Sequence, residues 1–161
     1  GLVRGLWVNL FSTQGIVGEI DVSFMTRTLP GGGREAGKAR ALAVLQELDP
    51  ERQFYRNTMT MEVGASRLPM LYLATAQLAL SPESPSVLEV LFYEITFAPA
   101  RADVTLEALR EALGLPGDTP LSISIPVTPQ RSASTSTVTY LDEDLRINRG
   151  KDYFAVLRRV E

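Results

Sequence analysis

The order of apolar and polar positions along the chain reads mostly as extended structure. "LVRGLWVNLFST" (2–13) alternates, with Leu6, Val8 and Leu10 on one face and Trp7, Asn9 and Phe11 on the other, which predicts a strand. "GIVGEIDVSFMTRTL" (15–29) continues with β-branched and aromatic residues, and "PGGGREAGK" (30–38) reads as a flexible, basic loop. "KARALAVLQELD" (38–49) is rich in good helix formers. It sets Ala41, Leu42, Leu45 and Leu48 on one helical face and stops at Asp49-Pro50, so a helix is predicted there.

Beyond Pro50 the pattern is β. "FYRNTMTMEV" (54–63) sets Asn57, Met59, Met61 and Val63 against Thr58, Thr60 and Glu62. "MLYLATAQLAL" (70–80) and "SVLEVLFYEITFA" (86–98) predict long strands joined by the rigid polar turn "SPESP". "DVTLEALREALG" (103–114) predicts a short helix with Asp103 as N-cap and Gly114 at its end. "LSISIPV" (121–127) alternates until Pro126, as a strand end or edge does. "RSASTSTVTYL" (131–141) turns strand-like after a polar start, and "LRINRG" with "DYFAVLRRV" predicts a hairpin turning at Gly150. Seven or eight strands, one or two short helices and no βαβ alternation predict a mainly β protein. The expected architecture is an antiparallel barrel of about eight strands, formed by a single domain over residues 1–161.

Composition removes several function classes. Sixteen Lys+Arg against nineteen Asp+Glu give a net charge of −3, which argues against a general nucleic-acid binder. The absence of Cys excludes disulfides, thiolate metal sites and Cys nucleophiles. The absence of His removes the commonest general base and every Ser-His-Asp or Cys-His mechanism. Catalysis would have to rest on carboxylates or Tyr, and no convergent pair stands out, so a non-enzymatic protein is expected. The longest apolar run, "LPMLYLATAQLAL" (68–80), is broken by Pro69, Thr75 and Gln77 and falls short of the roughly 18–20 residues that cross a bilayer. No charged-then-apolar signal follows Gly1, which leaves the destination open.

Three features invite chemistry. Asp142, Glu143 and Asp144 offer carboxylates, but on a strand only Asp142 and Asp144 share a face, and no calcium-loop spacing follows. With Arg146 and Arg149 close by, they read as a charged structural corner held by ion pairs, and no metal is expected. The triple glycine at 31–33 lacks the strand-to-helix context of a phosphate loop; flanked by Arg27, Arg34, Lys38 and Arg40, it is either a solvated loop or a contact for an anionic surface. In "VLEVLFYEITF", Leu88, Val90 and Phe92 stand opposite Leu91, Tyr93, Ile95 and Phe97, so both faces read as apolar. An eight-stranded barrel is either filled by side chains or wide enough for one small ligand. Met59, Met61 and Met70 suit either state, because thioethers adapt to irregular cores and to irregular apolar ligands alike.

Two separated stretches then resemble a known family. "TVTYLDEDLRINRGKDYFAVLRR" (137–159) is similar to the C-terminal signature of the plastid lipid-associated proteins, or fibrillins, most closely from Tyr140 to Gly150. "GLWVNLFST" (5–13) resembles the family's first strand, and its Gly5-x-Trp7 the lipocalin-like signature; "GIVGEIDV" (15–22) resembles the segment that follows. The sequence departs from the family at "SASTST", where an aromatic run is usual, and the family's N-terminal helix has no counterpart here. The resemblance implies a lipocalin-like barrel that associates with thylakoids or plastoglobules in a plastid. It implies binding of small hydrophobic molecules such as a lipid, quinone or carotenoid, with no cofactor required. Trp7, Met59, Met61, Tyr72, Phe92 and Tyr93 are the candidate cavity residues. Trp7 is expected to close the barrel floor under an arginine, Arg146 first and Arg158 second. The alternative is a structural or assembly subunit docked on a photosynthetic membrane complex such as a photosystem, peripheral to the membrane.

Overall fold

In the computed structural model, residues 3–13, 18–21, 26, 29–30 and 38–160 are described. Among these residues ten strands follow in chain order: β1 (Gly5–Ser12), β2 (Gly18–Asp21), β3 (Lys38–Asp49), β4 (Phe54–Val63), β5 (Leu68–Leu80), β6 (Val87–Pro99), β7 (Ser122–Ser124), β8 (Ser134–Leu141), β9 (Leu145–Arg149) and β10 (Phe154–Val160). One helix, α1 (Leu106–Ala112), lies between β6 and β7. Eight strands form a ring in the order β1-β10-β9-β8-β6-β5-β4-β3, and β1 pairs with β3 to close it; every pairing is antiparallel. This is the expected eight-stranded antiparallel barrel.

The two extra strands explain how the barrel opens. β3 gives Leu45–Leu48 to β1 and Lys38–Ala41 to β2. β6 likewise gives Val87–Val90 to β8 and Glu94–Thr96 to β7. Two apolar clusters follow from this division. One, with Trp7, Leu48, Leu78, Leu88 and Leu157, fills the end where the ring is complete. In the other, Met61, Val63, Met70, Ile95 and Phe97 pack against Leu109 of α1 and the flanking Val104, Leu113, Leu115 and Leu121.

The segment 38–49 is a strand, not a helix. Its register against β4 shifts between Ala41 and Ala43, so an extra residue stands in β3. The buried positions are therefore Ala39 and Ala41, then Val44 and Leu48. That bulge breaks the two-residue period and leaves a spacing that imitates a helical stripe; pairing with two neighbours then overrides the helix propensity of Ala and Leu. The same device corrects the reading of β6. Thr75 pairs with Glu94 and Ala76 with Phe92, so Tyr93 is the extra residue. Leu88, Val90 and Phe92 therefore share the inward face with Ile95 and Phe97, and the strand is amphipathic rather than apolar on both sides.

The second predicted helix exists but is shorter. Thr105, not Asp103, is its N-cap: its Oγ1 accepts from the Ala108 amide at 3.1 Å. Asp103 instead pairs with Arg101 at 2.8 Å, outside the helix. Gly114, at φ +66°, follows the last turn, and its N–H donates to the Glu111 carbonyl. Of the segment 15–29, β2 covers only Gly18–Asp21; the triple glycine, Arg27 and Arg34 lie outside the described residues.

The turn between β4 and β5 docks on α1 through Gly64. Its φ is +70°, and a Cβ there would stand 3.1 Å from the Ala112 Cβ. Gly64→Ala is expected to lower stability by about 1–2 kcal/mol, the usual cost of a left-handed L-residue. A lower urea midpoint at unchanged slope is the expected result.

Candidate ligand-binding site

A cavity of about 560 Å³ lies inside the barrel between the two apolar clusters. Its apolar wall is built by inward side chains of β3 to β6: Val44, Met59, Tyr72, Leu88, Val90 and Phe92. The opposite wall is polar. Asn9 of β1, Ser134, Thr135 and Ser136 of β8, Asn148 of β9 and Tyr153 line it, and Gln46, Tyr55 and Asn57 turn the corner. The polar wall is tied together: Tyr153 Oη and Asn148 Nδ2 both reach the Ser136 hydroxyl, at 2.8 and 3.1 Å. Tyr55 Oη donates to Asn57 Oδ1 at 2.8 Å. Burial pushes the Tyr55 phenol far above its ordinary value and raises that of Tyr72, so both stay neutral hydroxyls.

The floor is Trp7, fully buried between two guanidinium groups. Arg159 lies 4.5 Å from its ring centroid and Arg146 4.8 Å. Arg159 also donates to the carbonyls of Glu143 and Arg4, at 2.6 and 2.9 Å, which stitches the β8–β9 turn to the chain entering β1. Gly5 suits this, with a φ of +142° that favours glycine. A Cβ there would come 2.9 Å from Arg159 Nη1, which gives Gly5-x-Trp7 its physical meaning. The second arginine on Trp7 is thus Arg159 and not Arg158, because side chains alternate along β10 and Arg158 points outward, where it is exposed.

Arg146 sits one row further in. Trp7 pairs with Arg159, whereas Leu157 lies between Asn9 on one side and Arg146 on the other. The Arg146 side chain is fully buried and reaches across the barrel, where Nη2 donates to Gln46 Oε1. Among the described residues its Nε and Nη1 have no hydrogen-bond partner, and neither do Asn9 Nδ2 and Asn148 Oδ1. Burial lowers the Arg146 pKa to about 10, against the partial support of the Tyr55 and Tyr153 oxygens. The group remains a cation at neutral pH.

Of the sequence-predicted cavity residues, Met59, Tyr72 and Phe92 line this space. Trp7 lies beneath it, Met61 is packed in the α1 cluster, and Tyr93 is the bulged residue of β6. The polar wall was not anticipated. Its signal was present in Asn9, on the same face as Trp7, and in Asn148, two residues from Arg146; Gln46 was hidden by the helical reading of β3. Tyr153 enters the site because Gly150 lacks a Cβ, which would stand 2.0 Å from the Tyr153 ring.

The charged corner separates into unrelated parts. Asp142 caps the β8–β9 turn: Oδ1 accepts from the amides of Asp144 and Leu145 at 2.9 and 2.6 Å, and Oδ2 from the Tyr140 hydroxyl at 2.6 Å. Asp144 contributes its carbonyl to the Arg159 amide, and Arg149 is exposed at the far end of β9. Among the described residues no ion pair joins Asp142 or Asp144 to Arg146 or Arg149, and no cluster of carboxylates is arranged to hold a metal. The Tyr140 hydroxyl, then the Leu145 and Asp144 amides, hold the Asp142 carboxyl below its ordinary value. Its contribution to stability is therefore present above the unfolded value and lost as pH falls through the lower folded one. Asp142→Asn is expected to lower the urea midpoint at neutral pH, with the gap to the unaltered protein closing below about pH 4.

No described helix is long and apolar enough to cross a membrane. No curated protein and no solved structure matches the chain. The PAP_fibrillin family model matches residues 2–157, nearly its full length, and so spans both the Trp7 floor and the polar wall of the cavity. The chain belongs to the PAP/fibrillin family of plastid lipid-associated proteins.

Proposed function

We propose that this protein is a non-enzymatic carrier that holds one small hydrophobic molecule, a lipid, quinone or carotenoid, at the thylakoid or plastoglobule surface. The observation that carries this reading is the cavity of about 560 Å³ bounded by Met59, Tyr72 and Phe92. Its volume falls in the range of small-molecule pockets, about 300–1,000 Å³. A wall of thioether, aromatic and branched side chains favours an apolar body, since burying apolar surface is the main source of binding free energy there. The barrel around it is held independently by the Trp7 floor and the α1 cluster, so the space need not be filled for the ring to close.

A second reading, a subunit docked on a photosynthetic membrane complex, has one observation in its favour. The extra residue in β1, Leu10, breaks the alternation there, so that Phe11 does not share the inward face of Trp7 and Asn9, and Leu10 and Phe11 are each 54% exposed. Two neighbouring side chains make a small patch, and the cavity weighs more.

The test is native mass spectrometry with organic extraction on protein taken from its own membrane. The expected result is a stoichiometric apolar molecule that leaves on unfolding. Val44→Phe, which projects a ring into the cavity, should cut ligand content about tenfold or more, a loss of at least ~1.4 kcal/mol. The fold should be retained, with stability unchanged or raised by about 1 kcal/mol, as cavity filling commonly gives. A ligand-free chain that travels only with membrane-complex subunits would sink the carrier reading in favour of docking.

A further inference from the structure

Trp7 does not need two arginines. Arg159 covers it, holds two backbone carbonyls and closes the barrel end. Arg146 is a fully buried cation directly under the cavity, two of its three nitrogens have no hydrogen-bond partner, and no carboxylate stands against it among the described residues. A buried charge without a counter-charge is costly, and proteins normally pair it. Here the position of the counter-ion is taken by a neutral amide, Gln46 Oε1.

Two residues that line the cavity carry amide donors without a partner. Gln46 lines the cavity and spends its oxygen on Arg146, which leaves its amide N–H groups to offer. Asn9 lines it as well, and its Nδ2, buried within the wall, has no partner. Donors backed by a buried cation, across a cavity from an apolar wall, are the elements of an anion site. Asn148 Oδ1, the remaining unpartnered atom, is an acceptor one row further along the barrel, beside Ser136, and lies outside this site.

We propose that the cavity selects apolar molecules that end in a carboxylate, with the head group on Gln46 Nε2 above Arg146 and on Asn9 Nδ2, whose amide turns out of the wall to meet it, and the apolar tail along Met59, Tyr72 and Phe92. One guanidinium matches one negative charge. A phosphate monoester, with nearly two, would leave an unpaired anion in the same buried place. The proposal rests on the carrier reading and adds the class of ligand: an acidic lipid in preference to a neutral one.

The test is equilibrium binding of palmitate and of palmityl alcohol to the purified chain, each measured by displacement of the same fluorescent apolar probe. The two share a tail, so their ratio isolates the head group. Palmitate is expected to bind at least about tenfold tighter, the least that one hydrogen bond to a charged group contributes. In Gln46→Glu a carboxylate of the same size neutralises Arg146 from within, and the palmitate-to-alcohol ratio should fall to about one or below. Arg146→Met should do the same where it folds; Gln46→Glu decides the matter where it does not.

A ratio near one in the unaltered protein overturns the proposal and leaves the carrier reading intact. A high ratio that Gln46→Glu does not change also overturns it, because the acid is then held by another cation. Failure of both molecules to displace the probe removes the carrier reading and the proposal together.

Discussion

The structure depends on the closing of one sheet. An edge strand presents a row of unpaired amides and carbonyls, and a barrel is the arrangement that leaves none. Here β1 closes the ring by pairing on both sides at once, with β10 through Leu6–Ser12 and with β3 through Gly5–Val8. Closure forces the strands to coil. Register shifts in β1, β3, β8 and between β5 and β6 supply the local twist that lets them do so.

The Trp7 floor follows from closure. Once β1 and β10 are paired, Arg159 is brought against the indole, and Gly5 makes the space for it. Aromatic and cation contribute about 0.5–2 kcal/mol together, and Arg159 binds the β8–β9 turn as well. The Asp142 cap holds that turn in the shape that presents the Glu143 carbonyl. Charges that suggest an active site in the linear sequence thus work mainly as hairpin geometry. The exception is Arg146, which the alternation of β9 turns inward.

The asymmetry of the cavity comes from the same ring. Strands β3 to β6 are long and carry apolar inward residues, while β8, β9 and the end of β1 contribute Ser136, Asn148 and Asn9. A molecule in this space meets a dry wall on one side and hydrogen-bonding groups over a buried cation on the other. That division orients a ligand, and a uniformly apolar barrel would not.

Sequence alone determined the class of the fold. Alternation in β1, β4 and β7, turn residues at "SPESP" and Gly150, and the missing His and Cys were enough for an antiparallel barrel without the usual catalytic groups. It also marked Trp7 and Arg146 as partners, and it named Met59, Tyr72 and Phe92, which the structure places on the cavity wall. What it misjudged are the bulged strands. An extra residue in β3 turned a two-residue period into an apparent helix, and one in β6 made a single inward face look like two apolar ones. The polar wall and the uncompensated charge of Arg146 were decided by tertiary structure alone. Which strands meet across the barrel sets whether Arg146 finds a carboxylate or Gln46, and those two residues lie a hundred positions apart. Local pattern records the period of a strand; the partner across a closed sheet is a long-range fact.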